Sequence, residues 1–470
     1  MKKTLLALVA GLCAVATTAT AQKPELFPTG EKTYKYRLYL KDKKHSPYKV
    51  SKPEAFLSAK AIERRRNNGV KVDHYDLPIS PAYLEQLRST GAEVVNMSKW
   101  NNTVVVASTN EALLQGLTSL SFVDSVLRVY ATPDSLPALF TDNRFAIEQK
   151  VSNEKRNNYY GAAYGQNAML GVDAMHTKGY RGEGVTIAII DGGFYNADRI
   201  NGLRHAYGNV LSTKNFVRPD TSVYAEDPHG MNVLACIAGF EPGALVGVAP
   251  NAKFHLLVSE QGESEFMIEE DNYCAALEYA DSVGADVVTV SLGYTTYDDS
   301  PKFAKYHELD GKTHINSRSA SLAHSRGIIL VNSGGNSSDA PYKLIGFPAD
   351  ATNILAVGAV RADSMNTNFS SIGFTTDGRI KPDVTAQGQR AASFGTDGRI
   401  VFINGTSFSG PITAGAVALL RQQFPKASAK AIMDAVRQSG HKATHPDNVY
   451  GYGIPNMPRA AEILKRHGHK

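Results

Sequence analysis

Five short, mostly apolar runs punctuate the chain beyond residue 180: Val185 to Ile190, Lys253 to Ser259, Asp286 to Val290, Ile328 to Asn332 and Ile354 to Val357. Each is too short for a buried helix, and none alternates cleanly between apolar and polar residues. Such runs are strands buried on both faces, which a parallel sheet covered by helices provides. The stretches between them carry longer helical patterns. The segment from Tyr164 onward is therefore expected to fold as one α/β domain of roughly 300 residues.

The chain before it reads differently. Tyr34 to Tyr39, Ala92 to Met97, Thr103 to Ala107 and Val123 to Tyr130 have strand character, and Pro53 to Arg66, Ser80 to Gly91 and Glu111 to Leu120 have helical character. Strands separated by short amphipathic helices suit a small α+β unit, and no catalytic constellation lies within it. Residues 132–163 are largely polar and read as a linker with a processing site. The expected layout is thus 1–21, 22–131, 132–163 and 164–470.

The first segment is expected to be a signal peptide. Lys2 and Lys3 precede an apolar stretch from Leu5 to Ala16, and Ala19-Thr20-Ala21 offers small residues for cleavage. No later run approaches the length of a transmembrane helix, so the mature chain is expected to be exported, to the periplasm or the medium. The formal net charge is +5, or +3 without Lys2 and Lys3, which gives no reason to invoke nucleic acid. Outside the leader, Cys236 and Cys274 sit in apolar helical stretches. They read either as a pair or, preferably, as two separate buried thiols.

Three segments combine reactive residue types with element ends. Asp191 closes the run Val185 to Ile190 and is followed by Gly192-Gly193, where the chain is expected to turn sharply. His229-Gly230 opens the apolar helix Leu234 to Gly239. Ser407 lies in Asn404-Gly405-Thr406-Ser407-Phe408-Ser409-Gly410-Pro411 at the start of an Ala- and Leu-rich helix. Free N–H groups and the positive helix end favour an oxyanion there. Singly, each has a structural explanation: a strand-end cap, a packed histidine, an N-cap serine. Together they supply a nucleophile, a base and the carboxylate that orients the base.

These segments resemble the subtilases, the subtilisin-like serine protease family, over about Tyr164 to Ala461. Gly405-Thr406-Ser407 closed by Pro411 is similar to the family's nucleophile motif, and Ile190-Asp191-Gly192 and His229-Gly230 to its other catalytic motifs. Gly247-Val248-Ala249-Pro250, Ser291-Leu292-Gly293, Ser333-Gly334-Gly335-Asn336 and Gly346-Phe347-Pro348-Ala349 match further family stretches. The resemblance implies Asp191, His229 and Ser407 as catalytic residues, with Asn336 completing the oxyanion hole. It implies substrate contacts at Ser291, Leu292, Gly293, Ser333, Gly334 and Gly335, and Gly346 as the floor of the primary specificity pocket. No cofactor or metal is expected: the loop Phe240-Glu241-Pro242-Gly243 lacks the family's calcium-binding pattern, and Asp298 to Asp310 lacks EF-hand spacing. Met231 and Asn232 stand where the family usually has Thr and a second His, and Phe408 and Ser409 where it has Met and Ala. By position, residues 22–131 correspond to a propeptide that assists folding and inhibits the enzyme, or else to a permanent accessory domain.

The expected function is therefore a secreted, monomeric serine endopeptidase acting on polypeptides. A binding protein on an inactive scaffold is the alternative. An esterase with a GxSxG elbow does not fit, since Ser407 is not framed by that pattern.

Overall fold

The computed structural model describes residues 32–133, 157–262, 264–298, 306–338 and 343–469. The expected leader and most of the expected linker, with its processing site, lie outside them.

The N-terminal unit contains strand β1 (Tyr34–Leu40), helices α1 (Ala59–Asn67) and α2 (Pro81–Ser89), strands β2 (Glu93–Ser98) and β3 (Thr103–Ser108), helix α3 (Glu111–Gly116) and strand β4 (Val123–Ala131). The four strands form a sheet in the order β2-β3-β1-β4, with β1 antiparallel to both neighbours. Strand alternation divides its residues. Leu38, Val104 and Val106 pack with Leu87 of α2 and Leu114 of α3, while Arg37 and Val105 turn to the opposite face. That β3 is apolar on both sides follows: each side is covered.

The larger unit is built on seven parallel strands. In chain order they are β5 (Thr186–Asp191), β6 (Val210–Asn215), β7 (Lys253–Val258), β8 (Val287–Val290), β9 (Ile329–Ser333), β10 (Leu355–Val360) and β11 (Val384–Gln387). Their spatial order is β11-β10-β9-β8-β5-β7-β6. From β5 the chain goes to the edge strand β6, returns to β7 between them, then crosses to β8 on the other side of β5. This topological switch opens a crevice at the carboxyl ends of β5 and β8, where ligands of open α/β sheets bind. Asp191 ends β5, and Ser291 follows β8 directly.

The helices are α4 (His229–Ala238), α5 (Ile268–Val283), α6 (Ile315–Ala323), α7 (Thr406–Gln423), α8 (Ala429–Ser439) and α9 (Met457–Arg466). Ile187 and Ile189 of β5 face α4, α7, α8 and α9. Ala188 and Ile190 face α5 and α6. Each fully buried aliphatic side chain contributes roughly 1.5–3 kcal/mol, so alternate residues of one strand anchor two helix layers. Cys236 of α4 and Cys274 of α5 are free thiols in these opposite layers, with the sheet between them.

The two units share a buried, charged interface along α5. Arg37 grips Asp271 through Nε (2.8 Å to Oδ1) and Nη2 (2.7 Å to Oδ2). Arg64 and Arg65 converge on Asp281 at 2.5 and 2.9 Å. Glu278 accepts from Ser98 Oγ and from the Trp100 backbone N–H. The Trp100 ring itself is buried in the core layer that α5 and α6 form against the sheet. Buried charges are costly unless paired and hydrogen-bonded, and here Asp271, Glu278 and Asp281 of α5 are satisfied from the N-terminal unit. Burial would raise the Asp281 pKa, but the two arginines outweigh it and hold the carboxyl well below the usual range.

The structure departs from expectation at some points. Residues 157–163, expected in the linker, pack on the larger unit: Ala162 N–H donates to Ala244 O at 2.8 Å, and Tyr160 is buried. The expected turn at Gly192-Gly193 is made with neither glycine at positive φ. Gly193 is needed for space: a Cβ there would lie 2.3 Å from Asp227 N.

Candidate active site

Asp191 is fully buried at the end of β5. Its Oδ1 accepts from the Gly192 N–H (2.8 Å) and meets His229 Nδ1 at 2.7 Å. His229 is the first residue of α4, and Asp227 accepts its backbone N–H at 2.7 Å, so a helix-start donor is satisfied by a side chain two residues earlier. Gly230 brings α4 against the strand end: a Cβ would sit 2.4 Å from Gly193 O and 2.9 Å from Asp191 Cβ. Burial alone would lower the His229 pKa. The Asp191 charge and hydrogen bond, aided by Asp227 and Glu260, outweigh it and hold the imidazole above its ordinary range.

Ser407 is the second residue of α7. Gly405 precedes the helix at φ 150°, ψ 152°, a backbone that L side chains rarely adopt. Pro411 lies inside the helix and lacks the N–H that would bond the Ser407 carbonyl four residues back. That carbonyl accepts instead from Ser291 Oγ at 3.0 Å, while Ser407 Oγ approaches Ser291 O at 3.4 Å. The next residue, Phe408, packs its ring 5.7 Å from the His229 ring, so α4 and α7 meet at the crevice. Ser409 Oγ caps Thr406 O at 3.1 Å.

Asn336 lies just beyond β9. Its Oδ1 accepts from both Thr406 N (2.8 Å) and Thr406 Oγ1 (2.9 Å), which assigns the amide nitrogen to the other side. Thr406 Oγ1 also accepts from Gly335 N–H. The remaining expected residues border this group. Leu292 O accepts from Asn332 Nδ2 at 3.2 Å, and Gly293 is exposed at the crevice edge. Ser333 is buried, and Gly334 donates to Val357 O at 2.8 Å, so its N–H belongs to the sheet. Gly346 is buried with its Cα against the Tyr294 backbone: a Cβ would meet Tyr294 O at 2.5 Å. Of the atypical positions, Met231 is core, and Asn232 ties α4 to Phe394 O at 2.7 Å.

Three contributors were not read from the sequence. Asp227 fixes the start of α4, and the signal for it was an Asx residue just before a helix. Thr406 orients Asn336. Glu260, just beyond β7, lies close enough to Asp191 and His229 for their charges to couple, with its carboxylate 3.4 Å from Tyr294 Oη. Burial first, then the Asp191 charge, raises its pKa. A lone acid after a strand gives no sequence signal.

The arrangement pairs a buried carboxylate with an imidazole beside a helix-start serine, as acyl-transfer hydrolases do. Residues 182–453 match the Subtilase family of peptidases (Peptidase S8), and residues 35–143 match the Peptidase S8 propeptide domain of Bacteroidota. Subtilisin DY of Bacillus licheniformis is 27% identical over 63% of this chain and 97% of its own length. Subtilisin NAT of Bacillus subtilis subsp. natto is 28% identical over 64% and 72% respectively. The alkaline protease of Alkalihalobacillus alcalophilus is 26% identical over 78% and 88%. The chain belongs to the subtilase family: it is a subtilisin-like serine endopeptidase preceded by a propeptide domain.

Proposed function

We propose that this protein is an exported endopeptidase that cleaves polypeptides through an acyl-enzyme formed on Ser407. The observation that supports this reading is the 2.7 Å bond between His229 Nδ1 and Asp191; in the proposed reaction the other ring nitrogen, Nε2, serves the nucleophile. Ser407 Oγ attacks the scissile carbonyl while His229 takes its proton. The C–N bond then breaks as His229 returns that proton to the leaving amine, and water hydrolyses the ester by the reverse sequence. Asp191 holds the tautomer and stabilises the imidazolium. The oxyanion is received by the Ser407 N–H, one of the donors a helix leaves free at its start, and by Asn336 Nδ2. Ser291, Leu292, Gly293, Ser333, Gly334 and Gly335 border the peptide, and Gly346 floors the pocket for the residue before the scissile bond.

The N-terminal unit acts as an intramolecular chaperone and inhibitor, removed by self-cleavage within residues 132–163, and the mature enzyme works as an exported monomer. The basic and apolar N-terminal leader supports export, and the propeptide match supports the chaperone role.

The test is fluorophosphonate labelling and casein digestion by the secreted wild type beside Ser407→Ala. Labelling, digestion and loss of the N-terminal unit in the wild type alone support the reading. A wild type that stays full-length, unlabelled and inactive after mild trypsin treatment overturns it in favour of a binding protein on an inactive scaffold.

A further inference from the structure

The segment from Gly346 to Ile354 carries the proposed pocket floor yet forms no helix or strand, apart from the single bridge between Tyr294 and Phe347. Its backbone carbonyls are held by basic side chains. Lys381 Nζ donates to Ala351 O at 3.0 Å, Arg379 Nη1 to Asp350 O at 2.6 Å, and Arg437 Nη2 to Ile354 O at 2.6 Å.

Two of these cations share one anchor. Asp383, beside β11, receives Lys381 Nζ on Oδ2 at 2.8 Å and Arg437 Nε on Oδ1 at 2.8 Å. Its Oδ2 also accepts from Ala356 N–H at 2.9 Å, which ties the anchor to β10. Lys381 is 2% exposed. A lysine is seldom buried so completely unless its charge is paired. Here one donor goes to the carboxylate and one to the loop carbonyl, so the ammonium joins a loop to the sheet. No side chain of the nucleophile, base or oxyanion group takes part.

We infer that Lys381 is a positioning residue for substrate selection, its buried ammonium bridging Asp383 and Ala351 O to hold the pocket-floor segment in register with the crevice. The inference rests on the protease reading above. It separates two properties usually lost together: chemistry at Ser407 depends on α4, α7 and Asn336, while discrimination at the pocket depends on the clamp.

The test profiles the wild type on a peptide library, then compares Lys381→Met and Lys381→Ala with it on two substrates. One carries the preferred residue before the scissile bond, the other glycine there. The preferred-to-glycine ratio of kcat/KM falls about tenfold in both variants, the size of one lost charge-assisted hydrogen bond. The rate of Ser407 labelling by a small fluorophosphonate stays within about twofold. Added ethylammonium restores the ratio in Lys381→Ala by refilling the cation's place, but not in Lys381→Met, whose side chain still occupies it. An unchanged ratio overturns the inference, whether or not the melting temperature drops. So does a labelling rate that falls in step with the ratio, or a Lys381→Ala ratio unmoved by ethylammonium. If either variant is not secreted, the same ratio is read in Lys381→Arg, which keeps the charge and misplaces it. An unlabelled wild type would instead defeat the protease reading itself.

Discussion

Ser291 and Ser407 hold each other across the crevice: the Ser291 hydroxyl donates to the Ser407 carbonyl at 3.0 Å, and the Ser407 hydroxyl approaches the Ser291 carbonyl at 3.4 Å. The first bond exists because Pro411 withholds the helical N–H that would otherwise take that carbonyl. A helix defect is thus what links the proposed nucleophile to the strand end bordering the substrate. Removing the Ser291 hydroxyl leaves a buried acceptor unsatisfied, at about 1–3 kcal/mol. Ser291→Ala is expected to lower both melting temperature and kcat/KM. Pro411→Ala restores a helical donor, so the double variant should lose less than the sum of the single ones, as a double-mutant cycle on unfolding free energy would show. Strict additivity would refute the link.

Thr406 occupies the amide oxygen of Asn336 through both its N–H and its hydroxyl, which orients the amide for the proposed oxyanion contact. Asn336→Leu should reduce kcat by about 10²–10³ with little change in KM, the signature of a contact made in the transition state. Thr406→Val keeps the backbone donor and loses the hydroxyl, so its effect on kcat should be smaller and in the same direction. Steady-state kinetics on one peptide decides both.

The pH profile has a definite sign. His229 accepts a proton only when neutral, and the Asp191 carboxylate, with Asp227 and Glu260, raises its pKa against the effect of burial. The acid limb of kcat/KM is therefore expected above the ordinary histidine range near 6.5. Glu260→Gln removes one raising charge and should move that limb to lower pH by roughly half a unit. A limb that stays put or moves upward would exclude the coupling.

The inter-unit interface is best tested in a chain that does not cleave itself. On a Ser407→Ala background, Asp281→Asn leaves Arg64 and Arg65 partly uncompensated in a buried site. Breaking such a pair costs about 3–5 kcal/mol, so the melting temperature should fall by several degrees and limited proteolysis should release the N-terminal unit faster. Because the Asp281 pKa is depressed, its stabilising contribution is complete above the unfolded carboxylate pKa and is lost as pH falls through the lower folded value. Acid should therefore narrow the gap between Asp281→Asn and its parent.

What the sequence revealed depended on burial. Val185 to Ile190 announced itself because β5 is covered on both faces. By contrast β6, Val210–Asn215, is an edge strand with largely exposed residues, so its run of Ser, Thr, Lys and Asn looked like loop. Strand β11, Val384–Gln387, escaped because Thr385 and Gln387 are polar yet buried. The motif residues around Asp191, His229 and Ser407 were visible locally. The Ser291–Ser407 bond spans 116 positions, and no local pattern encodes it. The glycines answer a packing need: Gly193 leaves room for the Asp227 backbone, and Gly230, set beside His229, lets α4 approach the end of β5 closely.

The placement of the two cysteines on opposite faces of one sheet has an experimental use. Cys236 is sealed among α4, α7 and the sheet, and its thiol is pushed up to about 12 by burial, so alkylating reagents find no thiolate there until the domain itself opens. Cys274 shares its cover with the N-terminal unit, whose Asn101 reaches its sulfur at 3.5 Å. Departure of that unit thins the shield over one sulfur and leaves the other untouched. Burial holds the Cys274 thiol up as well; on the proposed release of the N-terminal unit, alkylation at Cys274 ahead of Cys236 is the expected mark of maturation, and alkylation at both the mark of unfolding.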